Sequence, residues 1–316
     1  MKGLIVRNTG SWYDVRMDDG QLYACKVKGN FRLRGLRSTN PVAVGDWVEV
    51  RPDPGQQADG LNYGLITEIH DRRNYIIRRA SNLSKQSHII AANVDLACLV
   101  CTVAHPETST TFIDRFIASA EAYRVPVCLI VNKLDLYDEA ELCYTEMLTA
   151  LYSSLGYECC AVSAVTGCGL DELRTSMRDR VCLFSGNSGV GKSTLLNVLV
   201  PDAQAKVAEL SEAHDQGQHT TTFSALYDLP GGGAIIDTPG IRGFGTFDFE
   251  REEVSHYFRE IFETGRDCRF GNCTHTHEPG CAVRAALDNH LIAESRYQSY
   301  LSMLDDKDES KYREKF

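Results

Sequence analysis

No apolar run in this 316-residue chain approaches the roughly 18 residues needed to span a bilayer. The N-terminus, MKGLIVRNTGSW, also lacks the long apolar core of a secretory signal. Neither membrane insertion nor secretion is expected, and a cytoplasmic location is. Internal repeats and low-complexity tracts are missing too. Positive charge is in short supply: 33 Lys and Arg stand against 43 Asp and Glu, a formal net charge of −10. Over the whole chain, that balance argues against a nucleic-acid partner.

What remains is an ordinary globular composition, 43% apolar and 24% charged, on a chain long enough for two or three domains. By segment, the charge is uneven. Residues 1–80 carry 13 basic against 9 acidic side chains, net +4, whereas residues 81–245 carry 10 against 19 and residues 246–316 carry 10 against 15. Lys26, Lys28, Arg32, Arg34 and Arg37 form one basic cluster, and Arg72, Arg73, Arg78 and Arg79 another. Such clusters either follow a phosphate backbone or form a solvated face.

The 12 cysteines do not have the placement of a disulfide framework. Cys98, Cys101, Cys128 and Cys182 lie in apolar runs that read as buried strands, where a thiol behaves as a small hydrophobe. Cys98 and Cys101 have knuckle spacing, but positions three apart on a strand face opposite ways. Cys159-Cys160 has no ligand spacing. A reducing compartment fits.

Residues 1 to about 70 alternate in short apolar segments, GLIVR, WYDVRM, QLYACKV, DWVEV and YGLITEI, separated by turn residues. Five such strands predict a small β-barrel, OB-like or SH3-like. From about residue 90 the pattern changes to strands alternating with helices: NVDLACLVCTV, TFIDRFIASAEAY, VPVCLIV, DEAELCYTEMLTALYSSLG, YECCAVSA, LDELRTSM, RVCLFSG and KSTLLNVLV. That predicts an α/β domain on a parallel sheet, with ligands beyond the carboxyl ends of the strands. The expected division is a barrel over 1–75, an α/β domain over 85–245 and a helical domain over 246–316. The last is expected to end in a polar, frayed tail, DDKDESKYREKF.

Gly186-Asn187-Ser188-Gly189-Val190-Gly191-Lys192-Ser193-Thr194 follows an apolar strand and opens an apolar helix. Its glycines let successive N–H groups face phosphates at a helix N-terminus. Lys192 is placed to reach the β- and γ-phosphates and the Ser193 hydroxyl to hold Mg²⁺. Asn132-Lys133-Leu134-Asp135 ends another strand, and an Asp135 carboxylate there accepts from guanine N1–H and N2, which adenine cannot match. Ser163-Ala164 ends a third strand, where a backbone N–H can meet guanine O6. Asp237-Thr238-Pro239-Gly240 ends a fourth, with Asp237 set to hold Mg²⁺ through water and the Gly240 N–H in reach of the γ-phosphate. Together these specify GTP.

Their order is unusual. The guanine motifs precede the phosphate loop, the threonines at 220–222 and DTPG, so the cyclic order is kept while the chain ends have moved. This is a circular permutation, which neighbouring surface termini allow.

On these motifs, with PVAVGDWVEV, GQHTTT, IRGFG and the C-terminal C-x4-C-x-H-x5-C, the sequence resembles the RsgA (YjeQ) family of circularly permuted GTPases over nearly its whole length. The resemblance implies GTP hydrolysis to GDP and phosphate, stimulated by the small ribosomal subunit. It also implies action late in that subunit's maturation, with rRNA contacts. One threonine of the switch completes the Mg²⁺ shell, and Thr221 is favoured. Where many GTPases carry a water-orienting Gln after DxxG, this chain has Ile241, so His219 stands as the residue that positions water. RNA contact or loop packing by His219 is the competing role. Lys192, Thr221 and His219 are thus the expected catalytic set.

Cys268, Cys273, His275 and Cys281 form a closed set of four ligands typical of structural zinc. His277 is an alternative fourth ligand, and the resemblance selects His275. A short polar loop of this kind needs its metal to fold. A monomer is expected. The competing function is an RNA-binding sensor of guanine nucleotides with incidental turnover, and a third is a kinase or ATPase using the same loop.

Overall fold

The computed structural model describes residues 1–10, 12–27, 42–53, 62–79, 87–201, 224–238 and 250–310. Five strands open the chain: β1 (Lys2–Asn8), β2 (Tyr13–Met17), β3 (Leu22–Val27), β4 (Trp47–Pro52) and β5 (Asn62–Ile69). They pair in the order β1-β2-β3-β5-β4 and close through β1–β4. β3 and β5 run parallel, and the other barrel pairs are antiparallel. This five-stranded Greek-key closure is OB-like, and the parallel pair separates it from an all-antiparallel SH3-like barrel. Alternate residues such as Tyr13, Val15 and Met17 turn inward and are buried, as the period of a strand requires.

The PVAVGD segment locks the barrel to the α/β domain. Gly45 has φ +92°, and a Cβ there would lie 2.2 Å from the Ala92 carbonyl oxygen, so only glycine fits. Asp46 is fully buried and receives both Arg72 Nε and Nη2 at 2.6 Å, together with the Ala43 N–H. Arg73 pairs with Asp95 at 2.7 Å. These two members of the second basic cluster are therefore engaged within the fold. Lys28, Arg32, Arg34 and Arg37 lie outside the described residues.

Between barrel and α/β domain, β6 (Tyr75–Arg79) and β7 (Ser87–Ala92) form an antiparallel hairpin that the sequence pattern did not announce. The α/β domain then runs β8 (Leu96–Cys101), α1 (Thr110–Ala122), β9 (Val127–Val131), α2 (Glu139–Ser154), β10 (Glu158–Ala161), α3 (Leu170–Met177), β11 (Val181–Ser185), α4 (Lys192–Leu199), β12 (Ala225–Asp228) and β13 (Ala234–Asp237). Its strand order is β10-β9-β8-β11-β13-β12, all parallel except β12. The winding reverses between β8 and β11, and such a switch point is where α/β sheets bind ligands.

The sheet continues into the barrel, because β12 pairs with β1 at Ala225 and Arg7, and Arg16 forms an ion pair with Asp228. The C-terminal part comprises a 3-10 turn at Val254–Tyr257, α5 (Arg259–Gly265), α6 (Ala282–Asp288) and α7 (Glu294–Ser310). Phe258, Ile261, Val283 and Tyr300 form its core, against Ala118 of α1. Helix α7 takes in the first half of the tail expected to fray. Among the described residues, no helix is long and apolar enough to cross a membrane.

Candidate nucleotide site and metal centre

The phosphate loop connects β11 to α4. Gly186 has φ +146°, and a Cβ there would lie 2.1 Å from the Val100 carbonyl oxygen; at Gly191, φ +92°, it would lie 2.5 Å from Asn132 Nδ2. Val190 is buried beneath the loop and anchors it, while Ser188, Ser193 and Thr194 face solvent. Lys192 Nζ donates to the carbonyls of Gly186 at 2.7 Å and Asn187 at 2.6 Å, spanning the loop. Burial lowers its pKa and the nearby Asp237 carboxylate opposes that. Asp237, at the end of β13, is pushed up by burial and held back by Lys192. A cation and an anion therefore face each other where phosphate and its metal ion would sit.

Asn132 ties three loops together. Its Nδ2 donates to the Val190 carbonyl at 2.9 Å, and its Oδ1 accepts from the Ala164 N–H at 3.2 Å. The Ala164 N–H is thus directed at Asn132 rather than left open toward a guanine O6. Lys133 adopts φ +73°, and its Nζ donates to the His105 carbonyl at 2.5 Å. Leu134 and Asp135 begin a 3-10 turn, with the Leu134 N–H on the Val162 carbonyl at 3.2 Å. The Asp135 carboxylate is exposed, and the buried Ser163 hydroxyl donates to its Oδ1 at 2.5 Å. That bond fixes the carboxylate in the orientation a base would meet.

Two supports escaped the sequence reading. Tyr137 donates to the Asn132 carbonyl at 2.6 Å and accepts from the Val103 N–H at 3.0 Å, and burial pushes its hydroxyl up to about 12. The His105-Pro106 turn borders the phosphate loop, where a Cβ on Gly189 would meet Pro106 Cδ at 3.4 Å. An aromatic after NKLDL and a loop after β8 carry no motif, so neither could be read. The structure brings Gly186 to Thr194, Asn132 to Asp135, Ser163, Ala164 and Asp237 to one end of the sheet. His219, the threonines at 220–222, Gly240 and Ile241 lie outside the described residues.

Cys268, Cys273, His275 and Cys281 place their ligand atoms within 4.8 Å of one another. Cys268 Sγ and Cys281 Sγ are 3.9 Å apart, and each lies 3.5 Å from His275 Nδ1. A tetrahedral ion with ordinary zinc–sulfur and zinc–nitrogen bonds gives edges of about 3.8 and 3.6 Å. The donor set therefore fits a metal, and the choice left open at the fourth ligand falls on His275. His277 is exposed and turns its Nδ1 to Thr276 Oγ1. Support continues outward: the Ala282 and Arg284 N–H groups point at Cys268 and Cys281 sulfur, and the Tyr297 and Tyr300 hydroxyls hold the His275 and Thr274 carbonyls. Burial pushes Glu278 up, but hydrogen bonds from Thr274, Thr276 and His277 outweigh it and hold the carboxyl well below its usual range.

An RsgA GTPase family model matches residues 69–247, and an RsgA N-terminal domain model matches residues 2–59. The chain is 63% identical over 313 residues to a small ribosomal subunit biogenesis GTPase RsgA of Bacteroides fragilis, covering 99% of each. It is 55% identical over 321 residues to one of Porphyromonas gingivalis, covering 100% of each. Among solved structures, YjeQ of Thermotoga maritima superposes with a TM-score of 0.75 at 35% identity, covering 96% of this chain and 97% of that one. YloQ, described as a circularly permuted GTPase, superposes with a TM-score of 0.72 at 27% identity, covering 98% and 95%.

Proposed function

The chain belongs to the RsgA GTPase family and is a GTP-hydrolysing enzyme of small ribosomal subunit biogenesis; from that premise we propose that it acts late in the subunit's maturation, in the cytoplasm, with turnover stimulated by the subunit itself. The observation that carries this reading is the convergence of the phosphate loop, Asn132 to Asp135, Ser163 and Asp237 at the carboxyl ends of adjoining strands.

In this reading Lys192 leaves the loop carbonyls to neutralise phosphate charge, and Asp135, oriented by Ser163, accepts from guanine. Ser193 and Thr221 hold Mg²⁺, with Asp237 acting through water. The ion, when bound, neutralises charge that develops on the transferred phosphate. The Gly240 N–H supports the γ-phosphate, and His219 positions the attacking water. With Ile241 unable to do so, intrinsic hydrolysis is slow and awaits the ribosome. The barrel and C-terminal domain hold rRNA. Cys268, Cys273, His275 and Cys281 bind one structural zinc, closed to catalysis because no ligand position is left for water. The division at 1–75, 85–245 and 246–316 separates these roles, and the protein works as a monomer.

GTP turnover measured with and without purified small subunits, across a salt series, tests the proposal. Strong stimulation that fades steeply as salt rises is expected. Nucleotide-dependent binding with flat turnover would instead make the protein a sensor.

A further inference from the structure

A cavity of about 410 Å³ opens beside the metal centre, between the 3-10 turn at 254–257, α5 and the cysteine loop. Its volume falls within the roughly 300–1,000 Å³ that hold small ligands. Two large rings line it while remaining exposed, Phe262 at 37% and Phe270 at 40%. His256 meets Phe262 edge-on at 5.2 Å, Arg266 lies 5.2 Å from the Phe262 centroid, and Arg269 lies 5.4 Å from that of Phe270. Arg251 lines the cavity, and among the described residues neither it nor Arg269 carries an ion pair. Asn272 and Glu252 supply an amide and a carboxylate on the same wall.

Exposed aromatic faces cost free energy in water, and guanidinium groups over them draw anions. Unstacked RNA bases are held by such surfaces: rings for stacking, amide and carboxylate groups for base edges, and guanidinium groups for phosphates. Peptides are gripped by strand edges or apolar helix grooves, and a 3-10 turn, one short helix and a metal loop provide neither. Arg251 and Arg269 come from separate segments, which suits successive phosphates of a strand better than a single free nucleotide. We propose that this cavity receives one unstacked nucleotide of single-stranded RNA, its base against the Phe262 and Phe270 rings and its phosphates beside Arg251 and Arg269. The inference rests on the proposed ribosomal function, and extends it from a domain to a site.

The test uses the full-length, metal-containing protein and a fluorescein-labelled RNA octamer of mixed sequence, read by anisotropy at fixed salt. Phe270→Ala and Phe262→Ala are expected to weaken binding about tenfold, the scale of one lost base stack. Phe270→Trp keeps the affinity. An abasic octamer binds the unaltered protein weakly and does not distinguish the variants. A 4-thiouridine octamer, photocrosslinked and digested, yields adducts on the segment 262–273. Metal content and basal GTP turnover stay unchanged in the variants, which separates a lost contact from a lost fold. Crosslinks confined to the barrel, affinities within twofold of the unaltered protein, or displacement of a ribosomal peptide rather than RNA would each overturn the proposal. Subunit-stimulated turnover is measured separately, so the two readings can fail independently.

Discussion

Arg296 of α7 and Asp114 of α1 form a fully buried ion pair, Nη1 to Oδ1 at 2.6 Å, that joins the C-terminal domain to the GTPase domain. The same guanidinium takes Glu260 of α5 through Nε at 2.7 Å and Nη2 at 3.1 Å. Tyr152 donates to Asp114 at 2.6 Å, and the Phe258 ring lies 4.6 Å from the guanidinium carbon. One cation thus satisfies carboxylates from two domains. Beside it, Arg259 binds Glu121 at 2.7 Å and lies 4.2 Å from the centroid of the Tyr157 ring. Helix α1 comes directly after the loop whose His105 carbonyl receives Lys133, so the position of the C-terminal domain bears on the nucleotide site.

Arg296→Met should therefore be costly. It leaves Asp114 and Glu260 with no cation in a buried setting, a change that typically destabilises by about 3–5 kcal/mol. Denaturant unfolding should show a clear fall in midpoint, and the double variant Arg296→Met with Asp114→Asn should recover part of it. A single variant as stable as the unaltered protein would mean that water reaches the pair.

None of this clamp was legible in the sequence. Arg296 and Asp114 are separated by 182 positions, and a lone Arg in a polar helix or a lone Asp in an amphipathic one gives no local signal. The β6–β7 hairpin was hidden for a related reason, since YIIRR and SHIIAA are too short to declare pairing without their partner. LDELRTSM, by contrast, is the whole of α3, because three apolar residues at helical spacing leave no other solution. The nucleotide site was legible because phosphate and guanine chemistry demand particular residues at strand ends. Its supports, Tyr137 and the His105 turn, were not, because many residues could serve there.

At the guanine end, Asp135→Asn exchanges one acceptor for a donor facing guanine N1–H and N2. Losing charge-assisted hydrogen bonds of about 1.5–3 kcal/mol each should weaken GTP binding by roughly a hundredfold and relax base selectivity. Ser163→Ala removes only the hydroxyl that orients the carboxylate, and about 1 kcal/mol, or roughly fivefold, is expected. Titration with GTP and ATP analogues reads both. An Asp135→Asn protein that still prefers GTP unchanged would detach this residue from base recognition.

The metal centre makes a stability prediction. The loop at 268–281 is held by its four ligands, by Glu278 and by two tyrosine hydroxyls, with little apolar material of its own. Cys273→Ser should drop metal content well below one per chain and lower the thermal midpoint. Chelation of the unaltered protein should do the same, and added zinc should reverse it. Unfolding curves insensitive to chelator would argue that the loop is self-supporting.

The acid limb of activity should belong to Asp237. Burial raises its pKa above the ordinary carboxylate value, while Lys192 pulls it down. For folding, a raised carboxylate pKa means that the folded state binds the proton more tightly than the unfolded chain. This group therefore favours folding at low pH, and that contribution is lost as pH rises through the raised pKa. Mg²⁺ holding has the opposite sign, because it needs the carboxylate. On acidification, Mg²⁺-dependent turnover should fall above the usual carboxylate range, while the nucleotide-free protein suffers no loss of stability from this group. Apparent Mg²⁺ affinity should drop by up to about tenfold per pH unit below the pKa. Asp237→Asn should lose most activity and show a residual rate that is flat where the unaltered enzyme declines. If the variant keeps the same acid limb, the titrating group is elsewhere, and GTP's own phosphate becomes the source.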